Sequence, residues 1–160
     1  MPVRFDRTIN HDVFRDADQA ARARGSATLE AEHLLLALSG GRDETAALLA
    51  EHGLTAGGID AALAAEFERS LGVAGVRLAD YPLPAAPRRL RRGPRVAASV
   101  SKALERAFVY AKARRIRRVT APALLIGILE AEVGTVPRAL ETAGVERAAL
   151  RSRAEELLLA

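Results

Sequence analysis

Helical spacing dominates the distribution of apolar residues along the chain. From about Asn10 to Arg24, the residues Val13, Phe14, Ala17, Ala20 and Ala21 recur on one helical face. Asn10 is placed to cap the start of that helix and Gly25 to release its end. A short, very apolar helix is predicted from about Glu32 to Ser39, closed by Gly40-Gly41. A third runs from about Asp43 to His52. Its N-cap is Asp43, Gly53 takes the left-handed position after it, and Leu54 supplies the apolar contact of such a stop. A fourth, from about Gly57 to Leu71, sets Ile59, Leu63, Phe67 and Leu71 on one face and ends at Gly72.

Residues 73–93 interrupt the pattern. Tyr81-Pro82-Leu83-Pro84-Ala85-Ala86-Pro87 carries three prolines within six positions, which excludes helix and predicts an extended linker. Arg88, Arg89, Arg91 and Arg92 continue it in solvated form. Helical spacing then resumes from about Ala97 to Arg114, with Val100, Leu104, Ala107, Phe108 and Ala111 facing a core. Thr120 is placed as the next N-cap, with Pro122 in the first turn, ahead of Leu124-Leu125-Ile126-Gly127-Ile128-Leu129. Two more helices follow, between Thr135 and Ala143 with Gly144 as the stop, and from about Glu146 to Leu159.

The second half repeats the first. A shift of 90 residues places Phe14, Ala17 and Ala21 on Leu104, Ala107 and Ala111, and Leu34–Leu38 on Leu124–Ile128. After one inserted residue, a shift of 91 places Leu49 on Leu140, Gly53 on Gly144 and Leu54 on Val145. Alanine-rich helices align easily by chance, but the recurring order of a long helix, a short apolar helix, a capped helix and a final helix does not. The expected fold class is therefore all-α, a tandem duplication of a four-helix unit of roughly 70 residues. The two copies are expected to pack as one pseudo-two-fold globule, because neither has enough apolar surface alone. On this reading repeat one covers residues 5–72, a Pro/Arg-rich linker residues 73–95 and repeat two residues 96–160.

Composition agrees. Of 160 residues, 49% are apolar and 4% aromatic, which favours a folded helical protein over sheet or disorder. The longest apolar runs, such as Leu34–Leu38, are five residues, far short of the ~20 that span a bilayer. The first residues carry no apolar core of a secretory signal, so a cytoplasmic protein with no membrane partner is the default expectation. There is no cysteine, hence no thiolate nucleophile and no Cys-based zinc site.

Charge is unevenly spread. Between Arg88 and Arg118 lie ten arginines, two lysines and one acid, Glu105, a net +11 that leaves −7 for the remainder of a +4 chain. Such a split points to an acidic partner for the middle of the chain, or to the two parts facing each other. Arg114, Arg115, Arg117 and Arg118 also suit the negative C-terminal end of their helix as a solvated face. With Arg88, Arg89, Arg91 and Arg92 they form a candidate patch for an acidic protein surface or for nucleic-acid phosphates. Nucleic-acid modules usually add stacking aromatics, and the nearest here is Tyr110, which ranks that partner second.

Catalytic patterns are missing. His11, His33 and His52 fall in no His-Glu-x-x-His arrangement, and adjacent Glu32 and His33 point in different directions on a helix. No serine sits in a Gly-x-Ser-x-Gly elbow, and no Gly-x-Gly-x-x-Gly phosphate cradle is present. No catalytic residue, metal ligand or cofactor is expected. Gly40-Gly41 and Gly57-Gly58 read as helix punctuation.

The doubled unit, with Ala17-Asp18-Gln19-Ala20-Ala21-Arg22 in its first helix and Glu32-His33-Leu34-Leu35-Leu36-Ala37-Leu38 opening its second, resembles the N-terminal Clp-repeat domain of the Clp AAA+ unfoldases. The stop Glu51-His52-Gly53-Leu54 is similar as well, and the resemblance runs from about Phe5 to Ala160. It departs at Ala31, where the family has threonine, and in the second repeat, where Ala121-Pro122-Ala123 replaces the Thr-Glu-His signature. No Gly-x-x-x-x-Gly-Lys-Ser/Thr loop is present, so a free-standing module without ATPase parts is the expectation. The resemblance implies a non-catalytic module that binds protein clients, adaptors or a Clp unfoldase, as an adaptor or a decoy. It also implies a role for Glu32, whose family counterpart helps bind phosphorylated arginine, at the first repeat only because Pro122 has no carboxylate. The alternative reading of Glu32 is a carboxylate that favours the positive N-terminal end of its helix.

Overall fold

A computed structural model describes residues 2–80 and 92–159. Two helices of the chain have almost no polar face. α6 (Ala121–Leu129) buries eight of its nine residues and α2 (Ala31–Ser39) six, with Glu32, Leu36 and Ser39 half-buried, so each must be covered on most sides. Around them stand α1 (Phe14–Ala23), α3 (Glu44–Glu51) and α4 (Ala56–Val73) from the first half, and α5 (Ala98–Ala113), α7 (Thr135–Thr142) and α8 (Arg147–Leu159) from the second. α2 and α6 touch across the middle, α4 packs on α7, and α3 packs on α8. One apolar cluster runs through both halves, from Ile9 and Leu34 to Leu125 and Leu150.

The halves are joined by backbone as well as side chains. β1 (Arg4–Phe5) pairs in parallel with β4 (Arg118–Val119), and β2 (Thr28–Leu29) pairs in parallel with β3 (Arg95–Val96). The Arg4 and Asp6 N–H groups donate to the Arg117 and Val119 carbonyls, as the Arg95 and Ala97 N–H groups do to Ala27 and Leu29, all at 3.0–3.1 Å. Exchanging the two halves converts one strand pair into the other, which is the pseudo-two-fold the repeat predicts. Helical periodicity gave no sign of these strands, because two-residue segments carry no alternation to read.

Asp6, not Asn10, begins the first helical segment. Its carboxylate accepts the Thr8 N–H at 3.0 Å, and Asn10 lies inside a π-helical turn, Ile9–Val13, that runs into α1. That turn accommodates one extra residue: Phe5 to Ala17 spans twelve steps, against eleven from Val96 to Ala107. Asp43 caps α3 through the Ala46 N–H at 3.0 Å, as the sequence predicts. Thr120 sits at the N-cap of α6, yet its buried hydroxyl makes no bond among the described residues. Phe67 was expected to follow Ile59 and Leu63 inward, but it is 51% exposed, and Glu66 is buried instead. The reason is across the interface, where Arg138 of α7 donates to Glu66 at 2.7 Å and Ser70 adds a second bond at 2.7 Å. The proline-rich linker expected at residues 81–87, with Arg88, Arg89 and Arg91, lies outside the described residues.

α6 lies directly against α5. A methyl group on Gly127 would stand 2.3 Å from the Ala103 carbonyl oxygen and 2.8 Å from the Ala107 nitrogen. Gly127→Ala should therefore lower the unfolding free energy by about 3 kcal/mol as the helices are forced apart. At Gly57, where a methyl group meets nothing, Gly57→Ala should add roughly 0.5–1 kcal/mol of helix propensity. Thermal unfolding of both variants checks the pair, and equal melting temperatures would contradict the close crossing.

Candidate functional site

The N-terminal turn of α2 is held by a chain of polar contacts that leaves one carboxylate free of them. Glu30 is the extended residue before the helix. Its N–H donates to His33 Nδ1 at 2.9 Å, and the His33 N–H donates back to the Glu30 carbonyl at 3.1 Å. The Glu30 carboxylate accepts from the Thr28 hydroxyl at 2.9 Å and from the Ser99 hydroxyl of α5. Ser99 in turn accepts the Ala31 N–H at 3.1 Å. Glu30 and Ser99 thereby fix the start of α2 against the second repeat, and His33, 2% exposed, is a structural group. Because Nδ1 accepts, the ring is neutral with its proton on Nε2. Burial pushes its pKa down, and Arg24 adds to this against the opposing pull of Glu30.

Glu32, half-buried in the same turn, has no ion-pair partner among the described residues, in contrast to Glu66 and Glu130. Burial raises its pKa, partly offset by its own backbone N–H; Glu30 raises it further. It lines a cavity of about 260 Å³ between the halves. Lys102 and Arg106 of α5 form another wall, and the segment Val133–Pro137 at the start of α7 forms the rim. Arg106 is steadied by donating to the Gly127 carbonyl at 3.2 Å. A carboxylate and two cations around one cavity can hold a ligand that carries both a positive and a negative group. In the second repeat, Pro122 occupies the corresponding first turn of α6 and offers no such group.

Of the candidate arginines, Arg92, Arg114, Arg115, Arg117 and Arg118 fall among the described residues. Arg114, Arg115, Arg117 and Arg118 are all exposed. The strand register sets Arg4 beside Arg118, whose guanidinium also stands 3.9 Å from Asp6. Arg114 turns onto the Tyr110 ring, 5.4 Å from its centre. Arg115 holds the left-handed backbone position, φ 58°, that Gly25 fills in the first repeat, a conformation costing a side chain about 1 kcal/mol. Arg92, also exposed, precedes β3 and belongs with the other strand pair, next to Gly93, which packs on Arg22. Sequence reasoning singled out Glu32 but not Ser99, Lys102 and Arg106, which line the same cavity. It also missed Arg4, because only the strand pairing brings the N-terminus to Arg118. Among the described residues, no group of three His, Asp or Glu is placed to hold a metal ion, and no helix is long and apolar enough to cross a membrane.

No model of a known protein family matches the chain, and no curated protein matches it in sequence. Its fold, however, is that of Clp and Hsp104 N-terminal domains. The N-terminal domain of the caseinolytic protease associated chaperone ClpD from Arabidopsis thaliana superimposes with a TM-score of 0.67 at 17% identity, covering 98% of this chain and 96% of that one. The Hsp104 N-terminal domain from Candida albicans gives 0.64 at 17% identity, covering 97% and 91%. A chain from a study of a malarial protein secretion system gives 0.62 at 21% identity, covering 96% and 92%.

Adjacent Glu32 and His33 make stability depend on pH in opposite directions. His33 titrates below its ordinary 6.5, so its contribution is complete above that pH and is lost as pH falls through the lowered value. Glu32 titrates above its ordinary 4.5, so its contribution is present below that pH and is lost as pH rises. Glu32→Gln should raise the melting temperature at pH 7, with the gain shrinking toward pH 4. A melting series across that range tests it, and a gain that does not depend on pH would count against burial as the cause.

Proposed function

We propose that the chain is a non-catalytic protein-binding module that holds clients, adaptors or an unfoldase partner through the cavity between its repeats. The observation that carries this reading is Glu32, a half-buried carboxylate without an ion-pair partner among the described residues, facing Lys102 and Arg106 across about 260 Å³. A guanidinium meets a carboxylate through two parallel hydrogen bonds, and a phosphoryl group on the same side chain suits the two cations. A phosphorylated arginine on a partner protein has both features, and the first repeat alone supplies the carboxylate. The Clp-type N-domain fold supports a recognition role of this kind, exercised as an adaptor or as a decoy for ligands of a full-length unfoldase.

A second reading, nucleic-acid binding, is favoured by one observation: Arg4 joins Arg117 and Arg118 on one strand pair, with Arg115 close by in sequence. Duplex DNA binding that weakens steeply with salt, and disappears when Arg114, Arg115, Arg117 and Arg118 are neutralised, would support it. Co-purification with a Clp unfoldase that survives nuclease treatment would support the protein-binding reading.

Calorimetric titration with free phosphoarginine tests the cavity directly. The wild type should release heat, and Glu32→Ala should lose roughly tenfold or more in affinity. Equal heats from the two proteins, or none from either, would remove Glu32 as the ligand group.

A further inference from the structure

The two repeats differ where α1, α2 and α4 meet. α8 packs closely on α6, whereas its counterpart α4 leans onto α7 and touches α2 only lightly. The displacement leaves a cavity of about 250 Å³ on the first repeat, floored by Leu36 and Ala37 and walled by Ala20, Ala23, Gly40 and Ala56. That is below the roughly 300–1,000 Å³ of small-molecule sites and on the scale of one large side chain. Its polar rim is Asp16, Asp60 and Arg24, with Arg24 tied to Asp60 across the opening and Asp16 accepting from the exposed Arg15 at 3.0 Å.

The second repeat shows what such a groove accepts. By the same shifts of 90 and 91, Ala20 corresponds to Tyr110, Asp16 to Arg106, Ala56 to Arg147 and Asp60 to Arg151. Tyr110 is packed against the core beside Glu155 and Arg151 of α8. Arg106 and Arg147 donate to carbonyls at the C-terminal end of α6, those of Gly127, Leu129 and Ala131. Arg151 donates to Glu130 at 2.9 Å and pairs with Glu155 at 3.2 Å. One ring and a set of guanidiniums fill the groove and neutralise the helix end.

In the first repeat methyl groups and aspartates stand at those positions, and no arginine among the described residues bonds the carbonyls at the end of α2. We infer that the α1–α2–α4 groove is a docking slot for a partner protein segment presenting a tyrosine next to an arginine or lysine. The ring seats on Ala20 and Leu36, where Tyr110 has no counterpart. The neighbouring cation meets Asp16 and the C-terminal carbonyls of α2, as Arg106 meets those of α6. This surface is separate from the Glu32 cavity, and its occupant need not carry a phosphoryl group.

The probe is N-acetyl-tyrosyl-arginine amide, titrated into isotope-labelled protein to about 10 mM and followed by amide chemical shifts. Wild type should show saturable shifts at Ala20, Leu36, Gly40 and Asp60. Ala20→Tyr, which supplies the ring in place, should abolish them while its remaining spectrum stays dispersed. Asp16→Asn, which leaves the packing alone, should weaken binding several-fold, and Glu32→Ala should bind as wild type does. N-acetyl-tyrosyl-glutamate amide should bind roughly tenfold more weakly than the arginine form. The inference is overturned if no saturable shifts arise at those amides in wild type, or if both dipeptides bind equally. Undiminished binding by a folded Ala20→Tyr or by Asp16→Asn would overturn it as well.

Discussion

Two short, predominantly apolar helices govern this molecule. α6 buries eight of its nine residues and α2 six of nine, and such short apolar helices survive in water only when covered on most sides. One repeat provides three further helices, too few to enclose its own apolar helix. The second copy closes the shell, with α2 against α6, α4 on α7 and α3 on α8. The duplication is thus a packing requirement as much as a record of history, and the absence of glycine's side chain at the α5–α6 crossing shows how tightly the shell is drawn.

Within this shared frame the copies have diverged where the core does not constrain them. The buried series Ala17, Ala21 and Leu34 recurs as Ala107, Ala111 and Leu124. The first turns of the central helices do not recur: one bears the Glu30, Glu32 and His33 group, the other Thr120 and Pro122. Interior positions are held by volume, whereas helix ends and outer grooves are free to take up charge or lose it. Both proposed surfaces lie at such free positions.

Much of the fold was legible in the sequence because long helices advertise themselves through spacing and caps. Asp43, Gly53 and Gly144 marked boundaries that the structure keeps within a residue or two. What stayed hidden depends on partners distant in sequence. Phe67 was expected inward with Leu63, but Arg138 from the other repeat draws Glu66 into the interface and Phe67 is left exposed. Asn10 looked like a cap because nothing local announces a π-helical turn. At the candidate site, Glu32 stood out through its motif, but Ser99, Lys102 and Arg106 lie on α5 as ordinary members of a helix face. Only the tertiary fold sets them opposite α2.

The strand exchange has a consequence for how the chain is made. Arg4 and Phe5 are synthesised well ahead of the segment they pair with, because Arg118–Val119 follows them by 114 residues. The first strand therefore waits without its backbone partner while the intervening residues are made, and its pairing closes a contact of high sequence separation. A nascent chain stalled before residue 108 would lack the ring against which the finished protein stacks Phe5 edge-on.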